Sequence, residues 1–228
     1  MLCLIIQNLK ELFYYPIINT FKYTINLRFT VINQMETKEK ILSFLLRENE
    51  QTATQLSEQL KISRQAVWKL LKKLIKEEIL SSRQLDNKQK SVKIINLNFK
   101  NPLLKKTLSL ILTKEAIENE RWVQNFAELE KLTDFVLLFG SILTNPKQAN
   151  DIDLLIIPKK KKFKEVEKEI LEIQKVQLKK IHAIQLTNEE FYKEIKNKNK
   201  AYLDAIKKGI VLFGQENFIK QMEKLNGN

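Results

Sequence analysis

No glycine occurs in this chain before Gly140, and only four occur among its 228 residues. That scarcity makes each glycine informative. Left-handed and abrupt bends are where glycine is needed. Gly140 therefore marks a place of demanding geometry. It ends a continuous apolar run, Phe135 to Phe139, of the buried-strand type. Ser141 follows, then a loop with Asn145-Pro146. A second apolar strand, Ile152 to Ile157, has Asp151 just before it and Asp153 within it. Side chains alternate along a strand, so Asp151 and Asp153 share one face while Ile152 points into the core. Strand rise puts the two acids ~7 Å apart along the backbone. Carboxylates so placed repel one another unless a cation lies between them, and their hard oxygens suit Mg²⁺ or Mn²⁺. Gly140 lets the backbone approach a phosphate, whose oxygens the neighbouring N–H groups and the Ser141 hydroxyl can hold.

Upstream, residues 35–98 read as helix, helix, short connection, helix and hairpin. Thr37 can cap a first helix carrying Ile41, Leu42, Phe44, Leu45 and Leu46. A second helix, Thr52 to Leu60, is followed by Lys61-Ile62. Ser63 caps a third, from Arg64 to about Glu77, whose inner face is Val67, Leu70, Leu71, Leu74 and Ile75. Its other face holds Arg64, Gln65, Trp68, Lys69, Lys72, Lys73 and Lys76. A hairpin of Ile79–Gln84 and Ser91–Leu97 closes the segment around the polar turn Leu85-Asp86-Asn87-Lys88, with Arg83, Lys88, Lys90 and Lys93 in or beside it. This pattern is a winged helix–turn–helix, whose third helix fits a major groove and whose wing reaches phosphate or minor groove.

Residues 1–34 differ from the rest, with three basic residues and one acid. They alternate strictly from Phe21 to Val31, as a strand does. Either Met35 is the natural start and residues 1–34 are an extension that is not native, or they form an accessory strand. Residues 99–133 read as a helical connector, with helices over Leu103–Leu112 and Glu115–Leu132 and with Trp122 and Phe126 in the core. The remainder, 134–228, reads as a strand-and-helix module. Thr187 and Glu190 form a capping box there, and the last strand, Ile210–Phe213, is ended by Gly214. The fold class expected is α/β (α+β): an N-terminal winged helix and a C-terminal domain with a small mixed sheet flanked by helices.

Two resemblances add to this reading. SEQLKISRQAVWKLLKKLIKEEIL resembles the DNA-binding domain of biotin-repressor-type regulators. It implies that Ser63, Arg64, Gln65 and Trp68 face bases or the groove edge, and that Lys69, Lys72, Lys73, Arg83 and Lys88 contact phosphates. The alternative is a winged helix used for protein contacts, with its lysines simply solvated. The segment FVLLFGSILTNPKQANDIDLLIIP, together with KKGIVLFGQENF, resembles the minimal nucleotidyltransferases of the DNA polymerase β superfamily over residues 134–214. That resemblance implies Gly140 and Ser141 on a nucleoside triphosphate, Asp151 and Asp153 as catalytic metal ligands, and transfer of a nucleoside monophosphate, most simply AMP, to a hydroxyl. This chain departs from the family twice. Thr144-Asn145 stands where a second glycine is usual. The strand Lys180–Thr187 also lacks the third carboxylate, leaving His182 or Gln185 in its place, with His182 a weak candidate base or ligand.

Lys and Arg number 40 against 27 acids, a net charge of +13, and this favours DNA or a phosphate-bearing ligand. Residues 35–98 alone carry thirteen basic and eight acidic residues. Cys3 and His182 are the sole cysteine and histidine, so a disulfide framework, a Cys-rich zinc site and an HExxH helix are excluded. A cytoplasmic protein without a membrane segment is expected. Two functions follow. One is a metal-dependent nucleotidyltransferase with a DNA-binding winged helix, its acceptor a protein such as a partner toxin or a small hydroxyl compound. The other is a transcriptional regulator whose degenerate transferase domain senses nucleotide or mediates association, as in a homodimer.

Overall fold

A computed structural model describes residues 36–87 and 90–226. The expectations for residues 1–34 and for Lys88 lie outside these. Helix α1 (Thr37–Glu48) buries Ile41, Leu42, Leu45 and Leu46 along one stripe. A two-residue strand, β1 (Gln51–Thr52), leads into α2 (Ala53–Leu60). Thr52 caps α2 in a reciprocal box with Gln55, and Lys61, at φ 54°, turns the chain out of it. Ser63 then caps α3 (Arg64–Lys76), which buries Val67, Leu71 and Leu74. Strands β2 (Leu80–Asn87) and β3 (Lys90–Leu97) pair antiparallel, and β1 adds to the far edge of β3.

Two local expectations are corrected. The hairpin strands do not stop at Gln84 and restart at Ser91, because the ladder runs on to the pair Asn87 and Lys90. The residues Leu85-Asp86-Asn87 and Lys90 carry no apolar alternation in the sequence, so periodicity cannot report them as strand. The connector is also not broken near Thr113. Helix α4 (Pro102–Glu118) is continuous, capped by Asn101 and opened by Pro102. Thr113 stays within it by donating its hydroxyl to the Ser109 carbonyl at 2.8 Å. The break falls at Asn119, before the short α5 (Glu120–Asn125) and a 3₁₀ turn at Ala127–Leu129, so no helix continues to Leu132.

The C-terminal sheet is mixed, in the order β6-β5-β4-β7. Strand β4 (Thr133–Phe139) runs antiparallel to both β5 (Asp151–Pro158) and β7 (Ile210–Phe213). The single turn α6 (Ser141–Thr144) links β4 to β5. Helix α7 (Phe163–Gln174) makes the crossover that sets β6 (Lys180–Gln185) parallel to β5. Trp122, Phe126, Val136, Leu138, Ile152, Leu154, Ile156, Val166 and Ile170 form one core cluster. On the other face of β4, Phe135 meets Phe191 and Phe218 edge to face, with ring centroids 5.3 and 5.5 Å away. Those two rings come from α8 (Asn188–Lys196) and α10 (Gln215–Asn226), with α9 (Lys200–Lys208) between them.

From Thr37 onward the chain packs as one compact unit. The winged helix is fastened to the rest by α1. Arg47 pairs with Glu115 of α4 at 2.5 Å, and both side chains are nearly buried. Ser43 donates to the same carboxylate at 3.0 Å. Lys114–Glu39 and Lys207–Glu48 add two further bridges, at 2.5 and 2.8 Å. Among the described residues, no helix is long and apolar enough to cross a membrane.

Candidate functional site

The register of β5 and β6 builds the C-terminal site. Asp153 lies directly beside His182, and Asp151 beside Lys180. Ile152 and Ile181 are buried, so alternation turns Asp151, Asp153, Lys180 and His182 to the opposite side. His182 Nδ1 lies 3.2 Å from Asp151 Oδ2 and 3.6 Å from Asp153 Oδ1. One ligand atom from each of the three residues lies within 4.8 Å of the others. Of the two candidates for the missing third carboxylate, His182 is the one that joins the acids. Gln185 falls on the other parity of β6.

Partial burial, then the charge of Asp151, pushes the Asp153 carboxyl above the ordinary aspartate range, and His182 opposes the shift. Gly140 sits against the same side chain. Its φ of 85° and ψ of −166° lie in a region open essentially to glycine alone. A Cβ there would lie 2.2 Å from Asp153 Oδ2. Glycine is therefore required at this position by the acid as well as by the bend. Ser141 is exposed and opens α6. Lys180, exposed at the rim on the face of His182, was not singled out from sequence. Its signal was the two-residue spacing from His182, which becomes visible only once the strand register is known.

The second site is the outer face of α3 and the wing. Arg64, Gln65, Lys69, Lys72 and Lys73 are all exposed. Arg64 lies 3.7 Å from Glu58 and Lys73 3.9 Å from Glu77. Such solvent-exposed pairs are worth little and can be exchanged for phosphate. Three of the other predicted contacts have local roles. Ser63 Oγ accepts from the Ala66 N–H at 3.3 Å as the helix cap. Trp68 is half-buried, with Lys93 of the wing 6.0 Å from its ring centroid. Arg83 is engaged bidentately by Glu50, which also accepts from Asn96 at 3.0 Å. Arg83 thus ties the wing to the turn before β1, and its hydrogen bonds hold the Glu50 carboxyl below its usual range.

Residues 36–81 match a family described as winged helix-turn-helix DNA-binding. This part of the chain is a winged helix-turn-helix DNA-binding domain. The match ends as β2 begins and does not reach residues 134–214. No curated protein matches the chain. Among solved structures, a double mutant of ZitR from Lactococcus lactis in apo form is 30% identical over 52% of this chain and 81% of its own, with a TM-score of 0.33. The adhesin competence repressor AdcR from Streptococcus pyogenes is 25% identical over 53% of this chain and 84% of its own, with a TM-score of 0.32. Scores so low establish no shared overall fold. Within the winged helix, Lys69, Lys72 and Lys76 make no ion pair among the described residues, so α3 offers three uncompensated cations to a polyanion.

Proposed function

We propose that the protein is a DNA-binding transcriptional regulator. Its C-terminal half holds a divalent cation and a nucleoside triphosphate at Gly140, Ser141, Asp151, Asp153 and His182. The observation that supports this best is the winged helix-turn-helix match together with the exposed basic face of α3. Arg64 and Gln65, at the N-terminal end of α3, are placed as such a helix places its base-reading residues. Lys69, Lys72 and Lys73 supply the sequence-independent attraction to phosphates. In the other half, Asp151, Asp153 and His182 converge on one spot, and Gly140 and Ser141 lie beside it for phosphate oxygens. The Arg47–Glu115 pair joins the winged helix to α4, and α4 packs on β7, the strand next to β4. Occupancy of the nucleotide site can thereby bias the pose of the DNA-reading helix.

A second reading keeps the transferase active. One observation favours it: His182 sits beside Asp153 on the neighbouring strand, where a base could take the proton of an attacking hydroxyl. Two measurements test these readings. Duplex DNA binding, followed by fluorescence anisotropy at low salt, should weaken in Lys69→Glu/Lys72→Glu, and the salt slope should fall by about 2. The absence of any duplex affinity in the wild type would reject the regulator. Incubation with labelled nucleoside triphosphates, Mn²⁺ and cell lysate should label an acceptor if the transferase is active. No label, alongside an ATP-induced rise in Tm lost in Asp151→Asn/Asp153→Asn, leaves a sensor.

A further inference from the structure

We propose that the ion at the Asp151–Asp153–His182 cluster is a borderline transition metal, of the Zn²⁺ or Co²⁺ class, held through His182 Nδ1, and that the site discriminates against Mg²⁺. This rests on the reading of that cluster as a cation site and specifies its ion. The distances approach those of a coordination shell. Metal–ligand bonds of about 2.0–2.1 Å put neighbouring ligands about 2.9–3.4 Å apart. His182 Nδ1 stands 3.2 and 3.6 Å from one oxygen of each acid. Small side-chain adjustments therefore close the three atoms around one ion.

The donor set decides which ion. Mg²⁺ demands oxygen ligands and keeps much of its water, and two carboxylates alone would suit it. A ring nitrogen in the third place contributes little to Mg²⁺ and much to metals later in the first row. The set is also built on rigid backbone. Asp153 and His182 are register partners on parallel strands, flanked by the buried Ile152 and Ile181. The site stays open on one side. The side chains of His182, Asp151 and Asp153 are 45, 31 and 25% exposed, which leaves coordination positions for water or phosphate oxygens. With His182 Nδ1 on the metal, Nε2 carries the ring proton and faces away from the acids.

The test uses the full chain, stripped of metal and titrated with Zn²⁺, Co²⁺ and Mg²⁺ without nucleotide. Calorimetry and the visible absorption of Co²⁺ are the readouts. One Zn²⁺ or Co²⁺ should bind per chain, and millimolar Mg²⁺ should not displace it. His182→Ala should weaken Zn²⁺ by more than about tenfold. His182→Asp should restore Mg²⁺ binding. His182 is largely exposed, so both variants should keep the wild-type circular dichroism. If Mg²⁺ binds as tightly as Zn²⁺, or His182→Ala leaves Zn²⁺ affinity unchanged while Asp153→Asn abolishes it, the acids alone hold the ion. The inference then falls and the nucleotide site stands. If no divalent ion binds the wild type, both fall.

Discussion

Replacing either of two glycines by alanine should separate loss of the site from loss of the fold. At Gly140 an added Cβ would lie 2.2 Å from Asp153 Oδ2, where an ordinary C···O contact is about 3.3 Å. The obstacle is the end of a side chain, so relief is a displacement of the Asp153 carboxylate by about 1 Å from its place in the cluster. The backbone adds about 1–3 kcal/mol, because φ 85° with ψ −166° is a glycine conformation. For a unit of this size, 1 kcal/mol moves Tm by about 2–4 °C, so Gly140→Ala should lower Tm by about 2–12 °C and remain folded. Its affinity for a divalent ion should nevertheless collapse. At Gly214, φ is 74° and the added Cβ would lie 1.9 Å from the Asp134 carbonyl oxygen and 2.7 Å from Phe135 Cα. Both are backbone atoms at the start of β4, and neither can rotate away. Gly214→Ala should therefore cost more stability than Gly140→Ala. Scanning calorimetry and metal titration on both variants check this. A Gly140→Ala protein that keeps the wild-type Tm and cation affinity would refute the close approach of Gly140 to Asp153.

Arg47→Ala removes one partner of a nearly buried pair and strands Glu115, so urea unfolding should show a loss of about 3–5 kcal/mol. Glu115→Gln in the same background should recover part of it, and simple additivity of the two changes would show that they do not interact. Asp153 behaves in the opposite sense. Burial and the Asp151 charge raise its folded-state pKa, so its stabilising contribution is full below the unfolded aspartate value of 3.8 and is lost as pH rises through the folded value. Ionised Asp153 thus costs the metal-free protein stability at neutral pH. Asp153→Asn should raise Tm at pH 7, with the gain shrinking in acid. A lower Tm at pH 7 would show that Asp153 is stabilising without its ion.

The winged helix was legible because every signal for it is local. Thr52 with Gln55 and Ser63 with Ala66 cap helices within a single turn, and the stripe Val67, Leu71, Leu74 repeats at helical spacing. Its wing was less legible. The Glu50–Arg83 pair spans 33 residues, and the sequence around Asn87 carries no apolar alternation that periodicity can register. The partner that Glu50 provides for Arg83 is therefore visible only in the fold.

Sequence alone determined the Gly140-Ser141 bend and the common face of Asp151 and Asp153, since both follow from glycine's backbone freedom and the two-residue period of a strand. It could not determine which residue of 180–187 completes the pair. That choice belongs to the parallel register of β5 and β6, set by how Ile152 and Ile181 bury across a crossover helix. A shift of one residue would have turned His182 into the core and Gln185 toward the acids. Tertiary packing also decided that the winged helix and the C-terminal sheet share one unit, through Arg47 and Glu115, which lie 68 residues apart. Burial rewards such a pair only when both partners are already held in place by the helices around them.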